Sequence, residues 1–251
     1  MQNPITQDLL NLSHELGRED RGLAMLGEGN TSTRLTDDTF LVKASGTCLG
    51  TLKEEDVVEC RLSALLPMLE KENLTDQQVD DALLAARVDQ KAKKPSVEAV
   101  FHAWLLSLPG IKFVGHTHAT TVNQILCSPR ARELAARRMF PDEIVCCGVA
   151  SVFIPLTDPG LKLAQVIRRE TEAFIKKHQC QPRVILMQNH GIITLGGTWQ
   201  SVLAAMLMAE KAARVFVGAA QLGGPVFFSE ENIARIAGRP DEAYRQRALK
   251  M

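Results

Sequence analysis

The sequence predicts an α/β fold in which short strands are covered by helices, and three observations carry that expectation. Short apolar and β-branched runs recur along the chain, among them Thr39–Lys43, Val184–Met187 and residues 192–195, with the length and composition of strands. Longer stretches between them repeat their apolar residues at helical spacing. The two kinds of segment mostly do not follow strand–helix–strand order, and about nine short strands are expected. With 251 residues, 45% of them apolar, the chain can bury a sizeable core. No internal repeat, low-complexity run or linker divides it. It reads as one domain over 1–251, with 223–251 as a helical tail.

In order, residues 6–20 place Leu9, Leu10, Leu12 and Leu16 on one helical stripe, with Thr6 as the N-cap. Gly27-Glu-Gly-Asn-Thr-Ser-Thr33 follows; by composition it is a surface loop, and its N–H groups and hydroxyls suit an anion. Strand Thr39–Lys43 runs into a second glycine-and-hydroxyl turn, Ala44-Ser-Gly-Thr47. Residues 57–60 read as a strand, then a helix continues through Leu69. Residues 76–92 form a charged amphipathic helix that Pro95 ends. Ser96 caps the next helix, which carries Glu98 in its first turn, where the macrodipole favours an anion. His102, one turn further on, reads as a surface or packing residue.

Residues 120–126 and 129–138 are helical, the second with Arg130, Arg132, Arg137 and Arg138 on a solvated face. Residues 144–147 and 152–156 read as strands. Thr157-Asp158-Pro159 opens a helix with proline at its first position, ending near Lys177. Strands flank His190, and a long Ala-, Met- and Leu-rich helix spans residues 199–220 as a core or subunit-contact element. Gly223-Gly224-Pro225 ends it, and two short helices finish the chain.

Lys+Arg and Asp+Glu balance at 29 each, so no global field draws the protein to nucleic acid or anionic lipid. No apolar run approaches the roughly 20 residues needed to span a bilayer, and the N-terminus lacks the parts of a signal peptide. A soluble, cytoplasmic protein is expected. Six scattered cysteines form no CxxC pair and read as packing residues. Any metal site would therefore use oxygen and nitrogen ligands.

The stretch that organises the rest is Val114-Gly-His-Thr-His-Ala119. Residues i and i+2 of a strand share a face, so His116 and His118 project together and supply part of a metal site. His190, in Gln188-Asn-His-Gly191 between two apolar runs, is the candidate third ligand. A structural histidine is the competing reading for each of them taken alone.

Taken together, five motifs resemble the class II aldolase/adducin family, which includes fuculose-1-phosphate aldolase and ribulose-5-phosphate 4-epimerase. They stand in the family's order: Gly29-Asn30-Thr-Ser32-Thr-Arg34, Ser45-Gly46, Pro95-Ser96-Val-Glu98, His116-Thr-His118 and Asn189-His190-Gly191. The likeness runs from the first helix to Ala220. It implies an αβα sandwich with a largely antiparallel central sheet. It also implies one divalent metal ion, usually zinc with manganese or cobalt as alternatives, on His116, His118 and His190. Glu98 would be the acid/base beside it, and members are commonly cyclic homotetramers. The implied activity is lyase chemistry of the aldolase type, in which the C–C bond of a hydroxy-carbonyl substrate breaks or forms through a metal-stabilised enediolate. Gly29, Asn30, Ser45, Gly46 and Ser96 would hold the substrate's phosphate.

Two departures bear on the reaction. Aldolases of this family often carry two hydroxyl residues before the glutamate, and this chain has Ser96-Val97; an inward-pointing Lys43 would supply compensating charge. Where several of them place a proton-donating tyrosine after the His-x-His motif, this chain has Arg138-Met-Phe140. Its one tyrosine, Tyr244 in the tail, is the remaining candidate for a second catalytic phenol. Decarboxylation, dehydration or 4-epimerisation of a sugar or sugar-acid phosphate on the same site is the alternative. A non-catalytic scaffold like the adducin head is more remote, because those heads lose the histidines kept here.

Overall fold

A computed structural model of the chain describes residues 3–248. The elements begin with α1 (Pro4–Leu16), β1 (Asn30–Arg34), β2 (Thr39–Lys43), β3 (Val57–Arg61), α2 (Leu62–Leu65), α3 (Asp76–Ala85), α4 (Ala99–Ser107) and β4 (Phe113–Thr117). Then follow α5 (Thr120–Leu126), α6 (Ala131–Ala136), α7 (Pro141–Cys147), β5 (Val152–Ile154) and α8 (Leu161–His178). The chain continues through β6 (Val184–Met187), β7 (Gly191–Gly196), α9 (Trp199–Gln221), α10 (Glu230–Ala237) and α11 (Pro240–Ala248). Among the described residues the strands form one seven-stranded sheet in the order β3-β2-β1-β4-β7-β6-β5. Every neighbouring pair is antiparallel except β5 and β6.

Period-two side-chain alternation splits the apolar residues of this sheet between two cores. Val114, Ile185, Met187, Ile193 and Leu195 face a cluster built with α2, α4 and α8. Their sequence neighbours Phe113, Val184, Leu186 and Ile192 face the opposite cluster, built with α1, α5, α6 and α9. Helices on both faces of a mixed sheet make the expected αβα sandwich. No helix among the described residues is long and apolar enough to cross a membrane.

Seven strands replace the nine expected, and two segments changed type. Asn30–Arg34 is a central strand instead of a surface loop. Its hydroxyls are buried but partnered: Thr31 with Ser13 at 2.6 Å, Ser32 with His102 at 2.6 Å, and Thr33 donating to the Lys112 carbonyl at 3.0 Å. Residues 144–147 are helical, because Pro141 opens α7 at its first position, Asp142 and Glu143 fill the first turn, and Gly148 (φ 81°) stops it.

Several boundaries also moved. Asn3, not Thr6, caps α1, with Pro4 as its first residue. The helix expected to reach residue 92 ends at Ala85. Gly160, after Pro159, precedes α8. Of the four arginines read as a solvated face, Arg138 is 1% exposed and donates to the Arg137 and Gly148 carbonyls. Arg130, Arg132 and Arg137 lie over the rings of Phe216, Phe153 and Phe227.

The start of β1, the end of β4 and the start of β7 meet at one edge of the sheet, since Asn30 pairs with His116 and His116 with Ile193. Behind that edge Glu210 of α9, 4% exposed, holds the first turn of α5. Its carboxylate accepts from the Thr121 hydroxyl at 2.5 Å and from the Val122 N–H at 3.2 Å. Removing it strips a charged acceptor from buried donors, so Glu210→Ala is expected to cost about 1.5–3 kcal/mol. Urea denaturation will read this as a lower midpoint at unchanged slope.

Candidate metal centre

The end of β4 delivers His116, 0% exposed, and two residues on His118. The β6–β7 turn delivers His190 to the same place. In that turn Asn189 adopts a left-handed backbone (φ 57°), which asparagine tolerates better than most residues. Its N–H donates to the Leu126 carbonyl at 3.3 Å, and the His190 N–H donates to Met187 at 3.1 Å. The turn closes on Gly191 because no side chain fits there. A Cβ would lie 2.5 Å from the Thr117 carbonyl, 2.9 Å from the His118 ring and 3.1 Å from the His116 ring.

The three rings form a nearly equilateral triangle, with centroids 5.0, 5.1 and 5.1 Å apart. One ligating atom from each lies within 4.8 Å of the others. His116 Nδ1 is 3.0 Å from the Ile192 carbonyl, a partner that requires an N–H there. Nε2 is therefore left as a lone-pair donor facing the cluster. Burial first, and then neighbouring His118, push the His116 pKa down to about 3; burial and then His116 push His190 down to about 4. His116 and His190, held unprotonated at neutral pH and crowded against His118, suit a shared divalent cation. Outside the triangle, Glu28 stands 3.7 Å from His118 Nδ1, and Asn123 donates to the His190 carbonyl at 3.0 Å.

Glu98 precedes the first residue of α4 and is 8% exposed. One carboxylate oxygen lies 3.4 Å from His116 Nε2 and the other 3.4 Å from His190 Nε2. Asn30 Nδ2 donates to Glu98 Oε2 at 2.7 Å and to Ser96 Oγ at 3.1 Å. Ser96 Oγ also accepts from the Glu98 N–H at 3.3 Å, so both its lone pairs are engaged and its own proton points elsewhere.

A sequence model of the Class II Aldolase and Adducin N-terminal domain matches residues 7–217. The chain belongs to this family. It is 28% identical over 207 residues to the 3-oxo-tetronate 4-phosphate decarboxylase of Haemophilus influenzae, covering 80% of this chain and 83% of that one. It is 27% identical over 217 residues to the uncharacterized oxidoreductase YuxG of Bacillus subtilis, 82% of this chain but 29% of that longer protein's length. Among solved structures, the N-terminal class II aldolase domain of a conserved Thermoplasma acidophilum protein superposes with a TM-score of 0.69 at 26% identity. That match covers 86% of this chain and 95% of the other. Class II aldolases depend on a divalent metal, and the group formed by His116, His118 and His190 is able to hold one.

The remaining residues that the family resemblance singled out divide into those near this edge and one far from it. Gly29 (φ 70°) is buried where a Cβ would lie 2.5 Å from the His116 carbonyl. Ser45 and Gly46 (φ 76°) are exposed on the turn after β2. The Ser45 N–H donates to Lys94 at 2.9 Å and the Ser96 N–H to Lys43 at 3.1 Å, which lays this turn beside Ser96. Lys43 does point inward and is 2% exposed, but its ammonium donates to the Thr47 carbonyl at 2.6 Å and the Ala44 carbonyl at 3.3 Å. Burial lowers its pKa, against the raising effects of Cys48, Asp56 and Glu98.

Tyr244 is not brought to the histidines within this chain. It is 69% exposed on α11, whose Gln246 bonds to Arg183 and the Val145 carbonyl, at the end of β6 opposite His190. His102, read as a surface or packing residue, is fully buried between Asn30 and Ser32. Its spacing of four from Glu98 was the available signal. Glu28 and Asn123 carried none.

Gly191→Ala is expected to weaken the binding of a divalent metal about 10- to 100-fold, the range for disturbed ligand support, as read by competition with a chromophoric chelator. The pH dependence of the metal-free protein follows from the same burial. The unfolded chain protonates these imidazoles near pH 6.5, whereas folded His116 and His190 wait until about 3 and 4. Between those limits the unfolded state binds more protons, so stability falls as pH falls through the window. The urea midpoint of the metal-free protein should drop from pH 7 to 4.5, and His190→Asn should shrink that drop.

Proposed function

We propose that this chain is a metal-dependent lyase that breaks or forms a C–C bond of a small hydroxy-carbonyl substrate, with Glu98 as the proton-transferring residue. The observation that supports it is one buried carboxylate reaching two of three converging imidazoles at 3.4 Å. A divalent cation held by His116, His118 and His190 would polarise a substrate carbonyl and offset the negative charge that develops as the neighbouring bond breaks. Glu98 stands beside that position, its carboxylate oriented by Asn30. As a carboxylic acid it delivers a proton to the carbon freed by cleavage; as a carboxylate it takes one back in the synthetic direction. The Ser96 and Ser45 hydroxyls and the N–H groups around Gly29 and Gly46 would receive an anionic substituent such as a phosphate, with Asn30 supporting Ser96 and Glu98 through both hydrogens of its amide. Zinc as the ion, a cyclic homotetramer and a cytoplasmic location belong to the same proposal.

Decarboxylation is the second reading, and the named activity of one relative favours it. Retro-aldol cleavage needs a base at the departing hydroxyl and an acid at the carbon, whereas loss of carbon dioxide needs only the acid. Phe140 stands where the family resemblance implies a tyrosine, and Tyr244 lies away from the histidines of its own chain. The Haemophilus influenzae relative is a decarboxylase by name.

The test is metal analysis combined with a screen of hydroxyketones, 3-oxo acids and their phosphates, scored for aldehyde and for carbon dioxide. Zinc-loaded protein inert across the panel, or protein with no affinity for zinc, overturns the proposal. Glu98→Gln is expected to keep the metal and to lower turnover about 10²- to 10⁴-fold, the usual contribution of a general acid/base.

A further inference from the structure

Asn30 and Ser32 are two apart on β1, so their side chains share a face, and His102 of α4 is buried against both. Ser32 Oγ lies 2.6 Å from His102 Nδ1, and Asn30 Oδ1 is hydrogen-bonded to His102 Nε2. The far end of the Asn30 amide meets Glu98 Oε2 at 2.7 Å and Ser96 Oγ at 3.1 Å. Four side chains, two from β1, one from α4 and one from the residue just before it, are thus joined in one line: Ser32, His102, Asn30, Glu98.

Burial, and then the neighbouring His116, hold the His102 pKa well below the usual imidazole value, so the ring is neutral and proton counting allows this line one arrangement. A carboxylate oxygen only accepts, so the Asn30 group facing Glu98 must be the NH2, and the group facing His102 must be the carbonyl. A carbonyl also only accepts, so His102 must carry its proton on Nε2. Nδ1 is then a lone pair and takes the hydroxyl proton of Ser32. The opposite tautomer would set Nε2 and Oδ1 lone pair against lone pair. Rotating the amide to relieve that conflict would turn Oδ1 onto the Glu98 carboxylate. Both errors fall in a buried site where an unmade hydrogen bond costs about 1–3 kcal/mol.

We infer that His102 is a positioning residue for Glu98: bound as the Nε2–H tautomer between Ser32 and Asn30, it fixes the Asn30 amide so that its NH2 holds the carboxylate against the three-histidine cluster. This rests on the reading of Glu98 as the proton-transferring group. The hydrogen bonds of the His102 ring go to Ser32 and Asn30, so its link to Glu98 runs through the Asn30 amide. The amide of Asn30 can rotate about its last side-chain bond, so it needs a partner on its carbonyl side to be locked. Ser96 gains from the same lock, since the second hydrogen of the NH2 occupies one of its lone pairs.

The experiment uses zinc-loaded, isotope-labelled full-length protein. Long-range proton–nitrogen correlation of His102 should show the proton on Nε2, and Nδ1–H would overturn the inference. The side-chain NH2 of Asn30, assigned by its loss in Asn30→Asp, should be protected from solvent exchange in the wild type. His102→Phe keeps the ring volume without nitrogens and should speed that exchange at least tenfold at unchanged zinc stoichiometry. His102→Gln, which carries a donor and an acceptor, should restore most of the protection. Protection that survives in His102→Phe, or that His102→Gln fails to restore, overturns the inference. If His102→Phe does not fold, the tautomer and His102→Gln still decide it. Failure of the wild type to bind zinc would sink the underlying functional reading instead, and so is a separate outcome.

Discussion

Three imidazoles brought within 4.8 Å of one another are the constraint around which this edge of the molecule is arranged. Unprotonated, their lone pairs repel; protonated, their charges would repel more strongly in a site where His116 is fully buried. Such a group is not favourable in itself, so the fold must impose it. The imposing force is the register of β1, β4 and β7, which is set in turn by the two cores on either face of the sheet. Shifting β4 by one residue would move His116 to the other face and exchange Phe113 and Val114 between the cores. Apolar burial and ligand convergence are therefore specified by the same alternation, and neither can slip without the other.

Close approach is what register alone does not supply. Gly191 and Gly29 sit where a Cβ would lie 2.5 Å from the carbonyls of Thr117 and His116 respectively. Both strands flanking the end of β4 thus thin out where the histidines emerge. Behind the ring ligands the support is polar and mostly local. The Ile192 carbonyl sets the tautomer of His116, Asn123 holds the turn that carries His190, and Glu210 ties the helix following His118. A cluster of this kind resembles a small polar core set in an apolar one, and it stays ordered because nearly every member has a partner of the right kind.

Much of this was legible in the chain, and the parts that were not share a physical cause. His116 and His118 announced themselves by an i, i+2 spacing at the end of an apolar run, and His190 by its place between two more. Those signals are local, and the strands they predicted formed at β4, β6 and β7. Asn30–Arg34 misled because Asn, Thr and Ser have the composition of a loop. They fill a central strand here only because Ser13, His102 and the Lys112 carbonyl, all distant in sequence, satisfy their side chains. Residues 144–147 misled in the opposite direction: Ile-Val-Cys-Cys has strand composition, but Pro141 and Gly148 punctuate a helix. Arg138 reads as a solvent-facing charge, and Glu98 as a complement to a helix dipole, since nothing in sequence reports a buried partner. Motif order across the chain, which composition does not contain, assigned Glu98 to the site.

The buried charges near this edge show how its reactivity is confined. Lys43 lies beneath the turn that the family resemblance links to phosphate, yet its ammonium is spent on the carbonyls of Ala44 and Thr47. Its ammonium therefore stiffens the turn from beneath without reaching past the backbone. Glu98 is the opposite case: Asn30 holds one of its oxygens, and both oxygens remain 3.4 Å from imidazole nitrogens. A cation-backed turn on one side and an aimed carboxylate on the other give this edge two chemically distinct ends. A substrate carrying its anionic substituent at one end and its carbonyl at the other would enter in a single orientation. Both ends are fixed by contacts within this chain, the turn by Lys43 and the carboxylate by Asn30, so the polarity of the edge is a property of the fold itself.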